Sequence, residues 1–87
     1  MEINNHAKDY GDEEAQDDLG RCYGSGIGVE KDEIKAFELY KMAAEKEYAP
    51  AQNSLATLYE NGKGTEKDLG KAIHLYNKAA ENGGERV

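Results

Sequence analysis

Apolar side chains recur at the spacing of amphipathic helices in four segments, which short polar or glycine-containing stretches separate. In the first segment Ala15, Leu19, Cys22 and Tyr23 stand at i, i+4, i+7 and i+8, on one helix face. Such a line of apolar residues along one helix face is called an apolar stripe below. The stripes of the other three segments are Ala36, Phe37, Leu39, Tyr40, Ala43 and Ala44; Ala51, Leu55, Leu58 and Tyr59; and Ala72, Ile73, Leu75, Tyr76, Ala79 and Ala80. The pattern predicts four helices and an all-α fold.

Residues that start and stop helices stand between these stripes. Asp12, Asp32 and Asp68 are predicted N-caps, since an aspartate side chain can accept a hydrogen bond from a backbone N–H of the first turn. The glycine-rich segments 24–28 and 62–64 predict turns, because glycine adopts positive φ without steric cost. Pro50 is predicted at the start of the third helix, and the segment 82–84 at the end of the fourth.

The chain repeats itself. A shift of 36 residues lays 15–45 over 51–81 with 16 of 31 positions identical, where average composition gives roughly two by chance. Each unit is therefore a pair of helices, and such pairs stack into an α-α superhelix, or solenoid. We predict units at 12–47 and 48–84, with 1–11 as the remnant of a preceding unit or an acidic N-terminal segment and 85–87 as a tail.

The repeated residues form a family pattern, Ala-x3-Leu-Gly-x2-Tyr-x2-Gly-x-Gly-Val-x2-Asp-x3-Ala-x3-Tyr-x2-Ala-Ala-Glu. It starts at Ala15 and resembles the Sel-one-like repeat, a longer-looped relative of the tetratricopeptide repeat. The second copy departs mildly, with Ala56 in place of Gly20 and Thr65 in place of Val29. The resemblance implies a tetratricopeptide-like solenoid of antiparallel helix pairs and does not specify a partner.

Length and composition exclude several classes of protein. The chain has 87 residues, enough for one small core. No apolar run approaches the roughly 20 residues that span a bilayer, and the N-terminus lacks the basic and apolar regions of a secretory signal. A single cysteine excludes an internal disulfide framework and favours a reducing compartment. We expect no membrane association and a cytoplasmic location.

Charge is unevenly distributed. The formal net charge is −7, and residues 1–18 hold seven acidic residues against one lysine. Nucleic acid is an improbable partner, because phosphate binding needs clustered lysine and arginine. Two interpretations of the acidic end stay open: a solvated helix start, where acids suit the macrodipole, or a docking edge for a basic partner.

No residue pattern predicts catalysis. The glycines at 24, 26 and 28 resemble a nucleotide-binding loop, but they follow a helix, and the copy keeps two of them. Cys22 corresponds to Leu58, which favours a small buried apolar role. His6 and His74 are scattered, and no cluster has the spacing of a zinc site. We therefore expect no enzyme, no metal and no cofactor.

By similarity to tetratricopeptide units, the first helix of each pair lines a concave face, and its residues outside the apolar stripe point into that face. These residues are Glu14, Asp17, Arg21, Asn53, Thr57 and Glu60. They predict a polar groove, acidic in its N-terminal half, for a basic or hydrogen-bonding extended segment. The alternative is that they are ordinary solvated positions.

Two hypotheses for function remain. The first is a protein-interaction module, an adaptor or scaffold in signalling or complex assembly, since related repeats are attached to kinase or other signalling domains. The second is a purely structural piece of a longer array with no ligand of its own. At least three units are normally needed for stability, so the second hypothesis predicts self-association through exposed repeat ends.

Overall fold

The computed structural model describes residues 2–83, with side chains from residue 12 onward. It contains four α-helices in chain order: α1 Glu2–Ser25, α2 Glu33–Glu45, α3 Ala49–Asn61 and α4 Leu69–Gly83. Helix α1 packs on α2 and α3 packs on α4, forming two helix pairs, and α2 packs on α3 where the pairs meet. The predicted all-α fold of stacked helix pairs is confirmed. The predicted tail, residues 85–87, lies outside the described residues.

Two of the three predicted aspartate caps are present. The side chain of Asp32 accepts a hydrogen bond from the backbone N–H of Lys35 at 3.0 Å, and Asp68 does the same for Lys71 at 3.0 Å. The prediction for Asp12 is wrong. Helix α1 begins at Glu2 and continues through Asp12, because the residues before it adopt the same helix, so no helix start is left there to cap.

The two interhelical turns have the same construction. Gly26 and Gly28 in the first turn, and Gly62 and Gly64 in the second, have φ between 68° and 74°. Each turn closes through a 2.8 Å backbone hydrogen bond, from Asp32 to the carbonyl of Tyr23 and from Asp68 to that of Tyr59. Repetition of the sequence therefore produces repetition of the backbone, and the four glycines supply the positive φ that each turn needs.

The core lies at the boundary between the two pairs. It is built from small residues with one tyrosine and one leucine: Ala36, Tyr40, Ala43, Ala44, Ala51 and Leu55. Alanines let helix backbones approach closely, as predicted, and Gly20 does the same, since a Cβ there would lie 3.1 Å from the Tyr40 ring. Larger side chains, Tyr23, Phe37, Tyr48, Leu58, Tyr59 and Leu75, surround this centre.

The predicted apolar stripes are not buried throughout. Leu19 is 45% exposed whereas its counterpart Leu55 is 4% exposed, and Ile73 is 61% exposed. Leu55 faces the boundary between the pairs, while Leu19 and Ile73 lie on the outer faces of the first and second pair. Cys22, predicted to be buried, is only half-buried. The same stripe position is thus covered or open according to whether another pair lies against it.

Candidate functional site

The predicted site residues lie on α1 and α3, which contact each other along one side of the molecule. On α1, Arg21 is held by two carboxylates. Its Nη2 lies 2.8 Å from Asp17 Oδ2, and its Nη1 lies 3.2 Å from Asp18 Oδ1. The Arg21 side chain is 54% exposed, so the guanidinium is oriented by its own helix and remains open to solvent.

Asp17 itself is buried, at 2% exposure. Burial is the main cause that raises the pKa of its carboxyl; Arg21 opposes the rise and Asp18 adds to it. Its second oxygen, Oδ1, has no hydrogen-bond partner among the described residues. Asp17 therefore cannot contact a partner directly. Its role on this face is to orient Arg21.

The counterpart cluster on α3 involves a tyrosine from α4. The Tyr76 hydroxyl donates a hydrogen bond to Glu60 Oε1 at 2.9 Å. The Thr57 hydroxyl lies 3.1 Å from the Tyr76 hydroxyl and 3.1 Å from the carbonyl oxygen of Asn53. All four side chains are exposed, so the cluster presents fixed donors and acceptors at the surface.

Five of the six predicted residues thus form two groups, and Glu14 belongs to neither. Thr57, Glu60 and the backbone of Asn53 meet around Tyr76, and Arg21 meets Asp17. Glu14 is exposed on α1, and its charge is one cause that raises the pKa of the Tyr48 hydroxyl, after burial. No hydrogen bond joins the two groups in the part of the chain that the structure describes.

Sequence reasoning missed the tyrosines of this face. The apolar stripes include Tyr40 and Tyr76 as apolar residues and leave out Tyr48, but a tyrosine carries a hydroxyl at the end of an apolar ring. Burial is the main cause that raises the Tyr40 pKa, with the charge of Asp17 second. The signal was available: Tyr40 and Tyr76 recur 36 residues apart, each beside a polar position of the preceding helix.

Metal and membrane sites find no support in the described residues. Between residues 12 and 83, no three histidine, cysteine, aspartate or glutamate side chains lie close enough together to hold a metal ion. Among the helices described, none is both long and apolar enough to cross a bilayer.

The repeat seen in sequence and backbone corresponds to a known family. The family model named Sel1 repeat matches residues 13–48 and again residues 49–84. The chain belongs to the Sel1 repeat family. Sel1 repeats generally mediate protein–protein interactions, and their fold is a non-catalytic repeat scaffold. A search of curated proteins finds no match.

Two solved Sel1-type structures are similar to the chain. A Sel1 repeat protein from Oxalobacter formigenes is 42% identical over 79% of the chain, with a TM-score of 0.78. A protective antigen of uropathogenic Escherichia coli with an SLR fold is 35% identical over 83% of the chain, with a TM-score of 0.79. The chain spans 28% and 15% of the lengths of these two proteins.

Proposed function

We propose that this Sel1 repeat chain is a protein-interaction module that binds an extended segment of a partner across α1 and α3. The observation that carries the proposal is the fixed geometry of exposed polar groups on both helices. Arg21 is held by two carboxylates, and Tyr76 is held between Thr57 and Glu60. Groups that are already oriented lose little conformational entropy on binding, so they suit recognition of a partner.

The chemistry of this face favours a basic or hydrogen-bonding segment. Glu14, Asp18 and Glu60 are exposed carboxylates along it, and the chain carries a net charge of −7. Complementary charge speeds association and selects among partners. The exposed hydroxyl and amide groups can pair with the backbone of an extended peptide.

The test compares three baits in a pull-down from cell lysate at low and moderate salt. They are the wild type, a face variant (Glu14→Lys, Thr57→Arg, Glu60→Lys) and a control (Glu38→Lys, Glu66→Lys). Asp17 is left intact because it is buried, and the control positions are exposed and lie outside the face. We expect a protein that wild type and control retain, that the face variant loses, and that is held less well as salt rises. Equal retention by all three baits would exclude the face.

The wider role follows from the same proposal. We infer an adaptor or scaffold in signalling or complex assembly, acting in the cytoplasm and without catalysis or a cofactor. The support is the interaction role general to Sel1 repeats and the single cysteine of the chain. Proximity labelling with the chain as bait tests this role, since an adaptor labels the same partner set in repeated experiments and that set is lost with the face variant.

A second candidate, the structural piece of a longer array, is favoured by a different observation. The outer faces of the two helix pairs expose Leu19 and Ile73, at stripe positions that are covered where the pairs meet. Such faces suit stacking on a further pair. The two candidates differ in whether the chain has a ligand of its own: stacking uses the ends of the solenoid, whereas partner binding uses the face on α1 and α3.

A further inference from the structure

A second surface lies between α2 and α4. In the described part of the chain, no Cα atom of α2 lies within 8 Å of a Cα atom of α4, whereas α3 packs on both helices. The separation leaves a trough of about 420 Å³ with α3 as its floor. On α3 the trough is lined by Gln52, Leu55 and Tyr59, while the proposed partner face uses Asn53, Thr57 and Glu60. With 3.6 residues per turn, the two sets lie on different faces of the helix.

The floor of the trough is apolar. Ala44 and Leu55 are buried, and Tyr59 and Leu75 are half-buried. Tyr59 is fixed by an edge-to-face contact with Phe37, at 5.5 Å between ring centroids. A formed apolar floor of this size can cover an apolar side chain of a partner without first rearranging.

The rim is basic in a chain that is acidic as a whole. Lys41, Lys71, Lys78 and His74 line it, against two acids, Glu45 and Glu47. Between residues 12 and 83, neither Lys41 nor Lys71 has a carboxylate within ion-pair distance, and Lys71 Nζ lies 5.4 Å from the centre of the Tyr59 ring. These two ammonium groups therefore line the trough without an ion pair to a carboxylate of the described residues.

One end of the trough is already closed by hydrogen bonds. Gln52 Nε2 donates to the carbonyl of Ala44 at 3.2 Å, and Asn82 Nδ2 donates to Gln52 Oε1 and Glu47 Oε1, each at 2.9 Å. Glu47 also lies 3.6 Å from Lys78 Nζ. The hydrogen bond from Asn82, with the Lys78 charge second, lowers the pKa of Glu47. Glu47 and Lys78 are therefore paired with each other, which leaves Lys41 and Lys71, with Glu45 as the other acid of the rim, to face an incoming group.

We propose that this trough binds an acidic, extended segment of a partner protein, which places one apolar side chain on the floor and carboxylates at Lys41 and Lys71. Charge complementarity selects the occupant: the rim attracts carboxylates, whereas the net charge of −7 repels long polyanions such as nucleic acid. This binding is separate from that on α1 and α3, and the two sites favour segments of opposite charge.

The repeat supplies a matched control for the test. Lys35 is the counterpart of Lys71 one unit earlier, and its Nζ lies 5.6 Å from the ring centre of Tyr23, as Lys71 lies over Tyr59. Lys35 does not line the trough. Lys71→Glu and Lys35→Glu therefore make the same change in the same local setting, and only the first alters the proposed site.

The experiment is a fluorescence anisotropy titration with a labelled acidic peptide, acetyl-EDLFDE-amide. We expect binding to the wild type and to Lys35→Glu with equal affinity. Binding to Lys71→Glu should be about five- to tenfold weaker, since an attraction becomes a repulsion at a partly exposed site. Lys41→Glu should act in the same direction, which keeps the test valid if one variant does not fold. The peptides acetyl-EDSSDE-amide and acetyl-KKLFKK-amide should bind more weakly than the first.

Several results would overturn the proposal. The first is the absence of binding by the acidic peptide at about 1 mM. The second is an equal loss of affinity in Lys71→Glu and Lys35→Glu. The third is displacement of the peptide by a ten-nucleotide oligothymidine or by phosphatidylserine vesicles at a lower concentration than the unlabelled peptide requires. The face variant on α1 and α3 should bind the peptide as well as the wild type does. A loss there would show that the two sites are not separate, whereas failure of the pull-down would leave this titration unaffected.

Discussion

Asp17 combines two properties that a sequence pattern treats separately: it is charged and it is buried. Helical periodicity placed it outside the apolar stripe of α1, and it does lie outside that stripe. It is nevertheless only 2% exposed, because neighbouring helices cover this part of α1. Periodicity gives the direction of a side chain from its own helix axis. It does not show whether neighbouring helices extend far enough on that side to cover the side chain.

The first prediction concerns the cost of burying this carboxylate. Asp17→Asn should leave the protein about 0–1 kcal/mol more stable than the wild type at pH 7, because replacing a buried charge is often neutral or favourable. Arg21 keeps Asp18 as a partner and is exposed, so the change leaves no buried cation without a partner. Asparagine already occupies the counterpart position, Asn53. Urea unfolding at pH 7 measures the difference, with Asn53→Asp as an exposed control.

The pH dependence of that difference follows from the raised pKa of Asp17. Between the unfolded pKa of about 4 and the higher folded pKa, the folded state binds more protons than the unfolded state. Stability of the wild type relative to Asp17→Asn should therefore fall as pH rises through this window and level off above it. A variant that is less stable than the wild type at pH 7, by an amount that shrinks as pH falls, would show instead that the Asp17–Arg21 pair is net stabilising.

At the scale of elements, the turn between α3 and α4 also contributes to the contact between the two helix pairs. Gly64 in this turn has φ of +74°, and a Cβ there would clash with the Glu33 carbonyl oxygen at the start of α2. Gly28, its counterpart in the first turn, has the same φ of +74°, but no atom beyond its two chain neighbours lies within 4 Å of a Cβ built on it. The two glycines share a backbone conformation and differ in their neighbours.

The second prediction compares these two glycines. Gly28→Ala should lower the free energy of unfolding by about 1–2 kcal/mol, the cost of a left-handed conformation for a residue with a Cβ. Gly64→Ala should cost about 1–3 kcal/mol more, because α2 and the turn must also move apart. Urea unfolding followed by circular dichroism at 222 nm measures both. Equal costs would mean that the turn does not pack on α2 in solution.

The helices were predictable from sequence to the extent that local chemistry decides them. Asp32 and Asp68 cap their helices because a glycine turn precedes each aspartate and leaves a true helix start. Asp12 has no such turn before it, and α1 runs through it. At the site, the residue types of the face were predicted, but the burial of Asp17 and the place of Tyr76 depend on packing between helices. The trough between α2 and α4 depends on helix separation, which no local pattern encodes.

At the scale of the whole molecule, the two outer faces are copies of the two sides of the inner boundary. Inside, Tyr40 and Ala44 of α2 meet Ala51 and Leu55 of α3 in the core. The 36-residue shift maps the α2 side onto Tyr76 and Ala80, and the α3 side onto Ala15 and Leu19. Ile73, Tyr76 and Leu19 are exposed. A second molecule can therefore dock its first pair on the second pair of its neighbour by repeating the inner boundary.

A hydrogen bond across the boundary between the two helix pairs shows which polar groups such docking would pair. Gln52 Nε2 of α3 donates to the Ala44 carbonyl of α2. Gln16 is the counterpart of Gln52 on α1. In a head-to-tail contact, the Gln16 amide would reach the Ala80 carbonyl of the neighbouring molecule in the same way. Contacts of this kind do not close on themselves, so they lead to chains and not to a single dimer.

The third prediction is therefore that the 87-residue chain, expressed alone, associates head to tail. Its melting temperature should rise with protein concentration between about 5 and 500 μM, because association stabilises the folded state by mass action. Ile73→Lys should remove this rise and leave the low-concentration melting temperature within about 2–4 °C of wild type, since the side chain is 61% exposed. Met42→Lys, at an exposed position of α2, is the control and should still associate. A sharp melt at the same temperature across the series, with a monomer mass by sedimentation, would mean that the outer faces do not pair with each other.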